Sequence, residues 1–209
     1  MAEVQRLVHT EKVIGKVSRV FVDFGLNMPI SNMAPTARLR DLRLGAGALL
    51  DLGVYPLTWV ALMLHAHPEN RDQDPSLVSS MSIYPGSGDE TTTAIFNYPS
   101  LHAQGIASFT MLHRTTSEFG RIEGDKGVII LGGVASRPSY LVIKETGKEE
   151  RKLDFEPEGK GLYWEADAIA EDLRKGVKES AVIPLAESLR MMKLMDKIRA
   201  DNGLVYPQD

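Results

Sequence analysis

Residues 101–111 read Leu101-His102-Ala103-Gln104-Gly105-Ile106-Ala107-Ser108-Phe109-Thr110-Met111. The odd positions are Leu, Ala, Gly, Ala, Phe and Met, while His, Gln, Ser and Thr fill most of the even ones. A side-chain period of two predicts a β-strand with one face packed and the other more polar. A strand of that kind belongs to a sheet whose apolar face lies on helices. Working outward, residues 77–84, 91–98, 118–123, 128–131 and 140–144 are further short, turn-bounded runs, and 17–24 alternates in the same way. The tight turns Tyr98-Pro99-Ser100 and Gly124-Asp125-Lys126-Gly127 predict antiparallel pairing of their flanking strands.

Helical periodicity occupies the rest. In residues 45–65, Leu50, Val54, Leu57, Ala61 and Leu64 form one buried stripe. Pro56 interrupts that helix and predicts a kink near Leu52, because it lacks the N–H of one backbone bond. A short helix is expected at 3–9, and two more at 164–175 and 184–200, the last with Leu185, Leu189, Met192 and Met195 as its core stripe. The first of these runs from acidic Glu165 and Asp167 to basic Arg174 and Lys175 before Gly176, which matches the helix dipole and a glycine cap. Tyr163 and Trp164 are expected to anchor it to the sheet. Residues 27–44, with two prolines and three arginines before Leu44, read as an ordered surface loop. Together these elements predict one α+β domain over residues 1–209.

Composition narrows the function. With 24 basic and 28 acidic residues the net charge is −4, and no dense basic block occurs, so neither nucleic acid nor a membrane surface is an expected partner. The absence of cysteine excludes disulfides, thiolate metal sites and thiol nucleophiles. The polar-interrupted first twelve residues do not read as a signal peptide. The apolar run 54–64 is too short to span a bilayer. A cytoplasmic protein is expected.

The segment with most chemical content is Gly45-Ala46-Gly47-Ala48-Leu49-Leu50-Asp51-Leu52-Gly53-Val54-Tyr55-Pro56. A glycine pair leads into a helix on which Asp51 and Tyr55, four residues apart, share a face. A phenol can take a proton from a hydroxyl or give one to a developing alkoxide, and the carboxylate beside it can orient it or bind a substrate hydroxyl. The same residues equally suit a tight turn, a helix cap and an amphipathic edge. His113 and Arg114, at the end of the 101–112 strand, are candidates for the same site, His113 as an acid/base group and Arg114 as a substrate contact. Arg38 and Arg40 in the preceding loop are candidates for binding an anionic or hydroxylated substrate. His65 and His67 suit the closing carbonyls of the long helix. The five histidines have no metal-ligand spacing, and no metal is expected.

This segment is similar to the glycine-rich Asp/Tyr signature of the glucose–fructose oxidoreductase/inositol dehydrogenase/rhizopine-catabolism (Gfo/Idh/MocA) family. The likeness is greatest to the branch of dimeric dihydrodiol dehydrogenases and NADP-dependent D-xylose dehydrogenases. Arg6-Leu7-Val8 with Val13-Ile14-Gly15-Lys16-Val17, Phe119 through Gly127, Glu187-Ser188-Leu189 through Arg199, and Gly203-Leu204-Val205-Tyr206-Pro207 resemble that branch in the same order. The resemblance implies an open, mostly antiparallel sheet with helices packed on one face. It also implies a homodimer through the open sheet face, a small-molecule substrate, and an active-site pair at Asp51 and Tyr55.

Two departures matter. Ala46 stands where the family has the middle of three glycines. No G-x-G-x-x-G follows a strand and opens a helix, and Glu11-Lys12 is followed by Val13 where the family has Glu-Lys-Pro. The resemblance implies NADP for a full-length relative, but this chain alone is expected to bind no cofactor and to transfer no hydride. The expected function is therefore the substrate-side domain of an NADP-dependent sugar or trans-dihydrodiol dehydrogenase-like oxidoreductase. Two alternatives stand beside it: a cofactor-independent acid/base enzyme (isomerase, epimerase, dehydratase or cyclase) and a non-catalytic oligomerisation domain.

Overall fold

The computed structural model describes residues 1–155, 159, 161 and 163–209. The chain opens with α1 (Ala2–Gln5), which continues through a wide π-type turn, Arg6–Thr10, and then enters β1 (Val17–Gly25). After a loop with two short 3-10 turns comes a helical rod. It is built from a π-type turn at Leu49–Gly53, then α2 (Val54–Val60), then a second π-type turn at Ala61–His65. The strands β2 (Ser76–Ile83), β3 (Asp89–Tyr98), β4 (Ala103–Thr110), β5 (Glu118–Gly124), β6 (Gly127–Val134), β7 (Arg137–Glu145) and β8 (Arg151–Asp154) follow. Helices α3 (Tyr163–Arg174) and α4 (Leu185–Asp201) close the chain.

All eight strands form one open sheet in the order β2-β3-β4-β1-β5-β6-β7-β8. Six neighbouring pairs are antiparallel, as the short turns predict. The exception is β1, which pairs parallel with β4. The first strand thus occupies the middle of the sheet, and the β4–β5 connection passes over its end. This α+β architecture, with its mostly antiparallel open sheet, is the one the sequence predicts.

Alternation along each strand sets the layers. On β1, Val20, Val22 and Phe24 are buried while Arg19, Phe21 and Asp23 are not. On β4, Ala103, Gly105, Ala107 and Phe109 are buried. Their counterparts on the rod are Leu49, Leu52, Leu57, Trp59 and Leu64, all at most 2% exposed. Burying side chains of this size contributes roughly 1.5–3 kcal/mol each, so the rod is held chiefly by this face. Trp59 also donates its indole N–H to the Ala135 carbonyl at 2.9 Å, which satisfies its polar edge inside the core.

Pro56 is accommodated by the rod's own irregularity. The widened turn Leu49–Gly53 falls immediately before the helical turn that holds the proline, near the predicted kink. With its π-type ends the rod is longer than its apolar run. The segment Leu42–His65 is long and apolar enough to cross a membrane by length and composition alone, yet 67% of its most apolar window is buried in the fold. It is a core helix.

Three expectations fail in whole or part. Of the rod stripe, Leu57, Ala61 and Leu64 are buried but Leu50 and Val54 only partly so, the widened turn Leu49–Gly53 placing Leu49, Leu52 and Gly53 inward instead. Of the α4 stripe, Met195 is buried while Leu185, Leu189 and Met192 are exposed, and Met191 and Ile198 face the core. Tyr163 and Trp164 do not anchor α3: they are 42% and 55% exposed, and no described residue of that helix is buried.

The sheet face away from the rod carries an ordered pattern. Register places Val78, Ile95, Ile106, Phe21, Arg121, Ile130, Val142 and Lys152 side by side across all eight strands. The Arg121 guanidinium lies 4.7 Å from the Phe21 ring centroid, covering part of that apolar band. Polar rows flank the band: Ser80, Thr93, Ser108 and Asp23 on one side, and Ser76, Asn97, Gln104, Arg19 and Glu123 on the other.

Candidate active site at the start of the rod

The turn that opens the rod needs glycine at two positions. Gly45 and Gly47 have φ of 74° and 112°, in the region that side chains disfavour, whereas Ala46 is not among the positive-φ residues. The family's middle glycine is therefore dispensable, which is why alanine is accepted. Ala46 is fully buried, and its carbonyl accepts the Tyr206 hydroxyl at 2.6 Å. Burial pushes the Tyr206 phenol up to about 12, so it stays a donor.

The Asp89 side chain of β3 reaches the same turn. Both of its oxygens lie 3.1 Å from the Leu49 N–H, and Thr92 donates its hydroxyl at 2.7 Å. Asp89 is fully buried, and this burial raises its carboxyl above the ordinary range despite these hydrogen bonds. A Cβ on Gly47 would come within 2.4 Å of Asp89 Oδ1. The first turn of the rod is therefore capped by a carboxylate from another element, a role the sequence does not reveal because the partners are forty residues apart.

This cap fixes where the next two turns point. Asp51 is paired with Arg38 at 2.6 Å, the arginine largely exposed and the aspartate mostly covered. Asp51 makes no cap hydrogen bond, so the helix-cap alternative for it is excluded. Tyr55, 38% exposed, packs edge-to-face on Phe24 at the end of β1, with ring centroids 5.2 Å apart and planes at 86°. Phe24 also walls a slot of about 130 Å³ lined by Leu26, Phe119 and Val134, with Arg114 as its charged member. The loop bearing His113 and Arg114 is clamped to β1. Thr115 accepts from the Gly25 N–H at 2.5 Å and donates to Asp23 at 2.6 Å.

The structure thus joins Arg38 to Asp51 directly, and places Arg114 on the slot walled by Phe24, the ring on which Tyr55 packs. His113 is exposed on the same clamped loop, with no side-chain hydrogen bond among the described residues. Arg40 is engaged elsewhere: its guanidinium donates to the Met33 carbonyl and lies 5.5 Å from the Tyr84 ring centroid. No hydrogen bond or ion pair joins it to Asp51 or Tyr55 among the described residues. No cluster of three or more metal-ligating side chains occurs among the described residues.

The glycine-rich turns do not fit the pyrophosphate of a nicotinamide dinucleotide. Such a group needs free N–H groups at a helix N-terminus. At the rod's start the Leu49 N–H is held by Asp89, so a carboxylate stands where the anion would be. Gly86-Ser87-Gly88 and Gly132-Gly133 lie in or between strands.

With this fold and site in hand, the relationships are clear. The GFO/IDH/MocA C-terminal domain family matches residues 1–130, and the chain belongs to that family. It is 36% identical over 214 aligned residues to a D-xylose 1-dehydrogenase (NADP(+)) of Hypocrea jecorina, covering 93% of this chain and 55% of that one. It is 30% identical to a trans-1,2-dihydrobenzene-1,2-diol dehydrogenase of Macaca fuscata fuscata, covering 100% of this chain and 60% of the relative. The chain therefore spans little more than half the length of these relatives. Among solved structures, an aldose-aldose oxidoreductase from Caulobacter crescentus superposes with a TM-score of 0.75 at 17% identity, over 96% of this chain and 57% of that one. A 3-ketoreductase from Actinomadura kijaniata in complex with NADP and TDP-benzene superposes with a TM-score of 0.73 at 21% identity, over 96% and 58%. The chain is thus an oxidoreductase-family domain related to NADP-dependent sugar and dihydrodiol dehydrogenases.

Proposed function

We propose that residues 1–209 form a single substrate-side domain of an NADP-dependent sugar or trans-dihydrodiol dehydrogenase, with Tyr55 as the group that exchanges a proton with the substrate hydroxyl. The observation carrying this reading is the placement of Tyr55: partly exposed, held by Phe24, and one turn from the Asp51–Arg38 pair. Its phenol is open to a substrate while its ring is fixed. In the oxidising direction Tyr55, as phenolate, accepts the hydroxyl proton while the hydrogen on the same carbon would leave as hydride to NADP held outside this chain; in the reducing direction the phenol returns the proton to the developing alkoxide. Asp51 accepts a hydrogen bond from a neighbouring substrate hydroxyl, and Arg38 donates to its oxygen. The Phe24 slot receives the less polar edge of the ring, with Arg114 at its margin, and His113 stands ready as a second proton-exchanging group on the clamped loop.

These residues do not hold NADP, because the glycine turns of this chain do not accommodate it. In the proposed enzyme a nucleotide-binding domain outside this chain holds the cofactor. The band of apolar residues across the open sheet face, rimmed by polar rows, supports a second copy of the chain as the partner on that face.

The test is to join the chain to the nucleotide domain of the Hypocrea relative and assay NADP reduction with D-xylose and with trans-dihydrodiols. Activity with either that disappears in Tyr55→Phe supports the reading. Turnover of a sugar or diol by the chain alone, with no nucleotide present, replaces it with the cofactor-independent acid/base alternative.

A further inference from the structure

At the opposite end of β1 from Tyr55, four chain segments converge on a cavity of about 260 Å³. Lys12 and Lys16 come from the entry to β1, His67 and Glu69 from the turn that follows the rod, and Asp125 and Lys126 from the β5–β6 turn. The eight-residue step from Lys16 to Phe24 along an extended strand is roughly 26 Å, so this cavity is separate from the candidate active site.

Its charge is unbalanced. Glu69 is paired with Lys12 at 2.7 Å, and Asp125 accepts the Lys16 backbone N–H at 2.8 Å. Three lysines thus face two carboxylates, an excess of one positive charge, and neither the Lys16 nor the Lys126 ammonium forms an ion pair among the described residues. Like charges gathered at a partly apolar cavity repel one another and attract a counter-ion. Val17 and Leu101 supply that apolar wall.

The backbone is shaped to bring them together. Lys12 adopts φ 51°, a left-handed conformation uncommon for a lysine and found where surrounding structure enforces it. Gly15 has φ 72°, and a Cβ there would lie 1.9 Å from Asp125 Oδ1 and 2.9 Å from Lys126 Cγ. Only a glycine lets the β5–β6 turn close over the entry to β1. Beside it, His67 stands 4.8 Å from His9, ring centroid to ring centroid.

We propose that this cavity binds a phosphate group, as the free ion or as a phosphate monoester, between the ammonium groups of Lys16 and Lys126. Two charge-assisted contacts from flexible lysines suit a compact dianion. Nothing in the reading of Tyr55 is required for it.

The probe is inorganic phosphate, titrated into the intact chain at constant ionic strength, with the ring-proton NMR signals of the five histidines as readout. Saturable shifts of His67 and His9, with His113 unmoved, are expected. Lys16→Ala with Lys126→Ala should weaken the response about tenfold or more, while Lys16→Arg with Lys126→Arg restores it. Tighter binding of glycerol phosphate than of inorganic phosphate would assign a phosphate monoester, and equal or weaker binding the free ion. Shifts that sodium chloride reproduces, or that persist unchanged in the folded double alanine variant, would overturn the proposal.

Discussion

Asp89 of β3 caps the backbone N–H of Leu49, at 3.1 Å through either oxygen, and so determines where the helix bearing Asp51 and Tyr55 begins. Removing the side chain leaves that buried N–H and the Thr92 hydroxyl without their partner. Asp89→Ala should therefore lower stability by about 2–3 kcal/mol in denaturant unfolding. The pH dependence has a definite sign. Burial raises the Asp89 carboxyl in the folded state, so the folded protein binds its proton more tightly than the unfolded chain. Asp89 thus adds most stability at low pH, and that part is lost as pH rises from the ordinary carboxyl range near 4 through the raised folded value. Asp89→Asn, which cannot ionise, should abolish this contribution, seen as a flatter stability profile across the acid range.

Tyr55→Phe tests chemistry without disturbing packing. The ring keeps its edge-to-face contact with Phe24, and the Tyr55 hydroxyl makes no hydrogen bond among the described residues. Unfolding midpoints should match wild type, while dehydrogenase turnover of the assembled enzyme falls by about 10²–10⁴-fold.

His9 and His67 should make the fold acid-sensitive. Desolvation lowers both, His67 also through His9 and Lys12, while the His9 bond to the Met63 carbonyl at 3.0 Å opposes this only in part. Because the unfolded state binds these protons more readily, stability is fully present above about 6.5 and is lost as pH falls through the lowered folded values. His9→Gln with His67→Gln should shrink that loss, measured by thermal unfolding at several pH values.

Ile106 lies at the centre of the apolar band, between Ile95 and Phe21. If a second copy covers that band, Ile106→Glu places a charge inside the interface. Sedimentation should then report a dimer for wild type and a monomer for the variant, with unfolding cooperativity retained.

Much of this fold is legible locally. The alternation of residues 101–111, the rod stripe and the short turns predict their elements because period and turn chemistry are properties of neighbours. Pairing between distant segments is not: nothing near Val17 signals that β1 lies parallel to β4. The edge strand Arg151–Asp154 is short and charged, with Arg151, Lys152 and Asp154 around one leucine, so it carries no apolar alternation to read. Spacing and resemblance single out Asp51 and Tyr55 as candidates, and chemistry singles out Arg38, which the structure pairs with Asp51. Arg40 has the same chemistry two residues on, yet its guanidinium packs on Tyr84, a contact that only tertiary structure reveals. Phe24 and Asp89, which fix Tyr55 and the rod, were missed because a buried aromatic and a carboxylate at the start of a strand look structural in any sequence.

The central claim is that this chain supplies the substrate side of the reaction and leaves NADP to another domain. Calorimetric titration of NADPH into the purified, folded chain tests it most directly. The account predicts no saturable binding, because Asp89 holds the N–H at the one glycine turn that opens the rod. Stoichiometric binding at micromolar concentration would contradict it and place a complete cofactor site within residues 1–209.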